Sequence, residues 1–268
     1  MFKDYYVIDA HCHIYPEKIA SKAVAGTDNF YGVVSANKGT ITDLLERGSK
    51  AGIDHFIVQS VATTPKQVKS INEFISASVK EFPDLFTGLG TLHPESEDIV
   101  GDINHLVELG LKGVKLHPDI QAFKLDDYRC LKIYEECEKR GLIMLLHTGD
   151  NRYDYSNPNR LLPLLKTYTN LKFIGAHFGG YSIWDEAAES LSGIDNFYVD
   201  CSSSFPFIEK QQAKELIKRY TADKVLFGTD YPMWDASDEL EYFFSLGLDQ
   251  KEITSILNLN AKKLFNLE

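Results

Sequence analysis

IDAHCHIYP (residues 8–16) decides how this chain is read. It opens as a short apolar run, the pattern of a strand buried on both faces. It ends in His11, Cys12 and His13 rather than in a glycine cluster. An open doubly wound sheet often announces itself by a Gly-rich loop after its first strand. The missing loop therefore favours the other fold built from parallel strands, a closed barrel. Residues i and i+2 of a strand point the same way. His11 and His13 should share a side while Cys12 turns away into packing. Asp9 is expected on the histidine side, one step deeper, either as a hydrogen-bond partner or as part of the core bottom.

Seven more apolar runs follow: HFIVQSVAT (55–63), FTGLGTLHP (86–94), GVKLHP (113–118), LIMLLHTG (142–149), KFIGAHFGG (172–180), FYVDCSSS (197–204) and VLFGTDYP (225–232). Helical spacing lies between them, as in ITDLLERGSKAG (41–52), QVKSINEFISASVKEFP (67–83), DYRCLKIYEECEKRG (127–141) and QQAKELIKRY (211–220). DQKEITSILNLNAKKLFNL (249–267) closes the chain. Alternation at this density over about 250 residues predicts an α/β fold, a (β/α)8 TIM barrel, as a single domain over 1–268.

Composition narrows the function. The chain has 268 residues, 44% hydrophobic and 25% charged, so a sizeable core is affordable. Lys plus Arg number 28 against 39 Asp plus Glu, a net charge of −11. No basic patch interrupts this, which argues against nucleic acid and anionic membrane as partners, and against a nuclease built on a similar barrel. The four cysteines form no C-x-x-C pair, and the opening MFKDYYVIDAHCH lacks the pattern of a secretory signal. A reducing cytoplasm is expected.

The histidines carry the argument further. Six of the eight, His11, His13, His93, His117, His147 and His177, fall at or near the ends of apolar runs. His55 opens a run and His105 sits in a helical segment. In a barrel the strand C-termini converge on one face, where active sites are built. Asp230 ends the eighth run, and the eighth strand of a barrel closes beside the first. His11 and His13 from strand one, His147 from strand five and Asp230 from strand eight compose a donor set for a divalent metal. Zn2+ comes first, with Mn2+, Fe2+ or Co2+ also suited.

H-x-H on strand one, histidines on strands five and six and Asp on strand eight resemble the amidohydrolase superfamily. The chain is similar to the branch containing aminocarboxymuconate semialdehyde decarboxylase and related metal-dependent TIM-barrel hydrolases. IDAHCHIYP, AGIDHFIVQS, GLKGVKLHP, LLHTGD, FIGAHFGGY, VLFGTDYP and ILNLNAKKLF carry the resemblance, in order, over nearly the whole chain. It implies metal ligands at His11, His13, His147 and Asp230, with His177 and Asp230 as catalytic residues. It also implies that the chain pairs as a homodimer, as related proteins often do. Two reactions fit: hydrolysis of an amide or lactone of a small carboxylated metabolite, placed first, and non-oxidative decarboxylation, placed second. Binuclear relatives carry a carboxylated lysine on strand four. Here Lys115 could be carboxylated, hold a substrate carboxylate, or be a buried ammonium paired to an acid. His117 could bind a second metal or the substrate, while His93 reads as a turn residue before Pro94.

The segment after strand one (15–39) is long for a βα loop and is expected to form a partial lid, with Phe30 and Tyr31 shaping the pocket. Arg152 and Arg160, in the loop after strand five, suit capture of a substrate carboxylate. A small organic acid derivative is the expected partner. The rival classes are a closed, non-catalytic metal-binding barrel and a metal-free binding module for small acids.

Overall fold

The computed structural model describes residues 5–267. Its strands are β1 (Ile8–His13), β2 (His55–Gln59), β3 (Phe86–Gly88), β4 (Gly90–Thr91), β5 (Gly113–Leu116), β6 (Ile143–Leu146), β7 (Phe173–Gly175), β8 (Phe197–Asp200) and β9 (Val225–Leu226). β3 and β4 are two pieces of one staggered run, because Leu89 between them donates its N–H to Val58 O at 2.9 Å. All pairings are parallel, in the orders β1-β2-β3 and β4 through β9. Ala10 N donates to Phe227 O at 2.9 Å and His13 N to Tyr231 O at 2.7 Å, which closes the eighth run onto the first. The expected (β/α)8 barrel is the fold.

Helices α1 (Glu17–Tyr31), α2 (Ile41–Ala51), α3 (Val68–Glu81), α4 (Ile99–Glu108), α5 (Pro118–Gln121), α6 (Tyr128–Arg140) and α7 (Pro158–Thr167) alternate with the strands. α8 (Trp184–Leu191), α9 (Lys210–Tyr220), α10 (Ala236–Ser245), α11 (Gln250–Thr254) and α12 (Asn260–Phe265) complete the chain, with a π-turn at Ser255–Leu259 inside the closing helix. Among the described residues no helix is long and apolar enough to cross a membrane.

Two buried clusters show which way each strand residue faces. Ile57, Leu89, Leu145, Ile174, Tyr198 and Leu226 fill the barrel interior, and Ala261 and Phe265 of α12 pack onto this cluster. Phe56, Val58, Val114, Leu116, Met144, Leu146 and Val199 pack in the outer cluster with the helices. The alternation continues beyond the apolar core. Lys115 lies between the outward Val114 and Leu116, and Asp200 follows Tyr198 by two, so both face the interior.

β1 departs from simple alternation. Ile8 and Ala10 belong to the interior cluster and Cys12 to the outer one. Against β2 the register runs Ile8↔His55, Asp9↔Phe56, then Cys12↔Val58, so a bulge of one residue lies between Asp9 and Cys12. The bulge turns His11 and His13 inward and leaves Asp9 on the opposite side. The expectation that Cys12 points away holds; the expectation that Asp9 shares a side with His11 does not. Asp9 instead accepts from Thr229 N at 3.0 Å, Thr229 Oγ1 at 2.6 Å and His11 N at 3.1 Å. It thereby ties the two chain segments that carry His11 and Asp230. All four cysteines are buried free thiols.

Candidate active site

The strand ends deliver their polar side chains to one cavity of about 840 Å³, lined at its floor by His11, His13, Lys115, His147, His177 and Asp230. That volume suits a small-molecule ligand. α1 roofs it, so the segment expected as a lid is a helix rather than a loop. Only Ala20 of its fifteen residues is buried, and so faint an apolar stripe explains why helical spacing does not betray it.

Among the described residues, three groups of histidines and carboxylates lie close enough to share a cation: His11, His13 and Asp230; His11, His177 and Asp200; and His117, Asp119 and His147. Their hydrogen bonds separate them. In the first, His11 Nε2 lies 3.2 Å from His13 Nε2 and 3.2 Å from Asp230 Oδ1, and His13 Nε2 lies 3.6 Å from the same oxygen. Three donor atoms converge on one point. Behind them, His11 Nδ1 meets Asp200 Oδ2 at 2.9 Å. A carboxylate there holds the ring proton on Nδ1 and leaves the Nε2 lone pair facing the cavity. Ser203 Oγ donates to Asp230 Oδ2 at 2.6 Å, and Trp234 Nε1 donates to that hydroxyl at 2.8 Å. This group fits a divalent cation.

The second group is better read as support for the first. Asp200 is spent on His11 Nδ1, on His177 N at 3.1 Å and on Ser202 N and Oγ. In the third, the imidazoles of His117 and His147 are stacked, centroids 3.9 Å apart and 7° from parallel. Their in-plane lone pairs run side by side instead of converging, and His117 Nδ1 already accepts the Ile120 N–H at 3.3 Å. This group forms a hydrogen-bonding wall rather than a cage for an ion.

His147 faces the shared cavity, but its nitrogens point elsewhere than the other candidate ligands. Its Nδ1 meets His177 Nε2 at 3.0 Å, and its Nε2 lies 3.4 Å from both Asp119 Oδ2 and Tyr31 Oη. His177 hands Nδ1 to Ser202 O at 2.9 Å. His177 and Asp230 both adopt left-handed backbone, φ 61° and 57°, a conformation non-glycine residues hold where the surrounding structure demands it.

Electrostatics suit ligation. Burial pushes His177 down to about 4 and holds His13, His117 and His147 below the ordinary histidine range, with like charges from neighbouring histidines and Lys115 adding to it. Neutral imidazoles are the ligating form. Burial opposes ionisation of Asp230, yet His11, His177, His13 and Lys115 more than offset it and hold the carboxyl well below the usual range. Lys115 is pulled down to about 8 by burial, resisted by Asp230 and Asp200. Its Nζ reaches His11 Nε2 at 3.1 Å, so its direct partner is an imidazole.

The two arginines expected at the substrate are engaged elsewhere. Arg152 pairs with Asp150 through Nε and Nη2 at 2.9 and 2.7 Å, donates to Phe30 O at 2.8 Å, and lies over the rings of Phe30, Tyr31 and Tyr153. It fastens the C-terminal end of α1. Arg160 pairs with Asp126 and Asp154. His93 accepts the Glu95 N–H at 3.2 Å, as a turn residue would. Asp200 and Asp119 escape the sequence reading. Asp200 ends an apolar run as Asp230 does and could have been found by that signal; Asp119, beyond the His117-Pro118 stop, has none.

A parallel barrel with histidines and carboxylates gathered at its strand ends has the arrangement in which barrel active sites are built. A family model described as "Amidohydrolase" matches residues 8–267, and the chain belongs to that family. A 2-amino-3-carboxymuconate-6-semialdehyde decarboxylase of Dictyostelium discoideum is 29% identical over 142 residues, a match covering 51% of this chain and 38% of that protein. The fold superposes on 5-carboxyvanillate decarboxylase from Sphingomonas paucimobilis with a TM-score of 0.78 at 14% identity, covering 99% of this chain and 100% of that one. A dihydroxybenzoic acid decarboxylase from Polaromonas, solved with manganese and 2-nitroresorcinol, superposes with a TM-score of 0.74 at 18% identity, covering 98% and 97%. The protein is thus an enzyme of the amidohydrolase superfamily.

Proposed function

We propose that the enzyme catalyses metal-dependent, non-oxidative decarboxylation of a small unsaturated carboxylic acid. Of the two reactions open from the sequence, hydrolysis stood first. Most of the named relatives are decarboxylases of organic acids, which favours the second, while a "Putative 2-Pyrone-4,6-Dicarboxylic Acid Hydrolase" from Pseudomonas putida shares the fold. The observation that carries the reading is the convergence of His11, His13 and Asp230 beside a buried lysine, at the floor of a cavity of small-molecule size.

His11, His13 and Asp230 would hold the cation; His147, the fourth ligand expected from the sequence, has its Nδ1 on His177 and its Nε2 beside Asp119 and Tyr31 in this structure. Zn2+ and Mn2+ both suit imidazole and carboxylate donors, and the Polaromonas relative holds manganese. When bound, the ion supplies positive charge that draws the acid group and stabilises the electrons left by departing CO2. Lys115 supplies an ammonium beside the same centre and holds the substrate carboxylate in place. The bond between the carboxyl carbon and its neighbour breaks, and the electron pair stays on the neighbour. A proton drawn from solvent must then reach that carbon, and His177 and Asp230 are the groups at the centre placed to relay it. Aromatic side chains of α1 and the facing loops keep bulk water out.

The test loads purified protein with Zn2+ or Mn2+ and offers it 2,6-dihydroxybenzoate, 5-carboxyvanillate and 2-amino-3-carboxymuconate semialdehyde, in D2O. Release of CO2 with one deuterium at the vacated carbon is the expected result. Lactone or amide hydrolysis with no CO2 from any acid would restore the hydrolase reading.

A further inference from the structure

The reacting end of a substrate needs only the floor of the cavity. The same cavity has an arm that runs between α1 and α3. From α1 it is lined by Ile19, Ala23, Gly26 and Phe30, spaced as one face of a helix. From α3 it is lined by Ser70, Ile71 and Phe74. Helix faces of this kind ordinarily pack on protein. Here they face each other across open space, and α1 accordingly buries Ala20 alone. A one-ring acid such as 2,6-dihydroxybenzoate, held at the floor, would leave this arm to water.

Two features say what the arm would take. The first is Gly26. Glycine is a poor residue for a helix interior, yet it stands mid-helix on this face, and a side chain added there would meet nothing within 4 Å. The space that Gly26 spares belongs to the arm. Its walls at Ile19, Ala23, Phe30, Ile71 and Phe74 are apolar, so an apolar body gains by displacing the water between them. The second feature is charge at the rim. Lys18 and Lys22 line the same cavity one helical turn apart and are exposed. Neither makes a hydrogen bond or ion pair among the described residues. Two unpaired ammonium groups side by side, in a chain of net charge −11, favour an anion there.

We propose that this arm is a second substrate subsite, taking an apolar extension that ends in an anionic group beside Lys18 and Lys22. The preferred substrate is then a long, two-headed acid. One carboxylate sits at the floor, an apolar body lies between α1 and α3, and the second anion stands at the rim. Placing the first carboxylate at the floor rests on the decarboxylase reading; the arm rests on α1 and α3.

Calorimetric titration of the Mn2+-loaded protein with butanedioate, hexanedioate, octanedioate and decanedioate, and with octanoate and decanoate, tests it without turnover. Once the chain enters the arm, affinity should rise about threefold for each added methylene. Decanedioate should bind severalfold more tightly than decanoate at low ionic strength, and salt at about 0.5 M should shrink that margin. Gly26→Leu puts a side chain into the arm and should flatten the series, with butanedioate as the reference that does not enter it. Leucine is the better helix former, so a thermal melt should show no loss of folding. Lys18→Gln combined with Lys22→Gln should erase the diacid margin and keep the dependence on length. Affinity that stays flat with length, a length dependence that survives Gly26→Leu, decanedioate no tighter than decanoate, or a margin that survives the double lysine variant would each overturn the proposal. The second of these would mean general adhesion of apolar chains. Length-dependent binding with no CO2 release from any acid would defeat the decarboxylase reading and leave the arm standing; CO2 release from one-ring acids beside a flat series would defeat the arm alone.

Discussion

The barrel uses histidine at both of its ends, and the two ends use it differently. At the bottom, His55 opens β2 and spends both ring nitrogens on the protein: Nδ1 on Asp84 O at 3.2 Å and Nε2 on Thr87 Oγ1 at 2.9 Å. At the top, His11 gives Nδ1 to Asp200, and its Nε2 faces the cavity, where Lys115 Nζ, His13 Nε2 and Asp230 Oδ1 gather around it. His117 spends Nδ1 on a backbone N–H and likewise turns Nε2 inward. Residue type and burial are the same at both ends. What separates a working histidine from a structural one is the nitrogen turned to the cavity, and the carboxylate or backbone group that fixes which one it is.

The largest expected effect attacks the top end directly. His11→Ala and Asp230→Ala each remove a converging donor, so both should lose the bound ion and lower turnover by about 10³-fold or more. Metal analysis of the purified variants, paired with the CO2 assay, checks this. His55→Gln, made alongside, should keep both. If the top-end variants kept their metal, the distinction between cavity-facing and inward-bonded nitrogens would fail where it is clearest.

Asp200→Asn tests the supporting layer. The amide can accept from His11 Nδ1 but brings no charge, so it holds the ring orientation more weakly. Metal affinity should fall about 10- to 100-fold, as it does when a partner behind a ligand is changed. Competition with a chromophoric chelator measures it. Unchanged affinity would place Asp200 with the structural residues of the bottom end.

Arg152→Ala is smaller and acts on the lid. The guanidinium holds α1 through Phe30 O and pairs with the fully buried Asp150. Its loss strands that carboxylate, which costs about 1–3 kcal/mol and shows as a lowered melting temperature. KM should change more than kcat, because the residue touches the roof and not the reacting atoms. An effect confined to kcat would return Arg152 to the substrate role that its charge first suggested.

These contrasts also show what a sequence can carry. The eight apolar runs, the closure of the last onto the first and the convergence of His11, His13 and Asp230 follow from periodicity and topology, both written locally. Three features are not local. The bulge in β1 moves Asp9 to the outer side, and no residue in IDAHCH announces it. α1 is a helix whose one buried residue leaves no stripe to read. The direction in which a side chain spends its hydrogen bonds depends on partners far along the chain: Asp200 stands 189 positions from His11, and Phe30, which occupies Arg152, stands 122 positions away. The acids of Arg152 and Arg160 include Asp150 and Asp154, two and six positions away in the same loop, so there the sequence shows the partners without showing that they pair; Asp200 ends its run as Asp230 does.

The gentlest test concerns pH and belongs to the bottom end. Burial lowers the affinity of His55 for a proton below that of an ordinary histidine, with Lys262 adding to the effect and the Asp84 carbonyl opposing it. The unfolded chain therefore binds this proton more readily than the folded one. Wherever the unfolded state holds more protons, stability rises with pH. The His55 contribution should be fully present above the ordinary histidine value of 6.5 and fade as pH falls through it towards the lower folded value. Urea titrations of the native protein and His55→Gln, from pH 8 down to pH 5, isolate the term: the native protein should lose stability relative to the variant only on the acid side. A gap that stays constant across the range would mean that His55 exchanges its proton freely in the folded state. Its two nitrogens would then not be spent, and the bottom end could no longer serve as the structural half of the comparison.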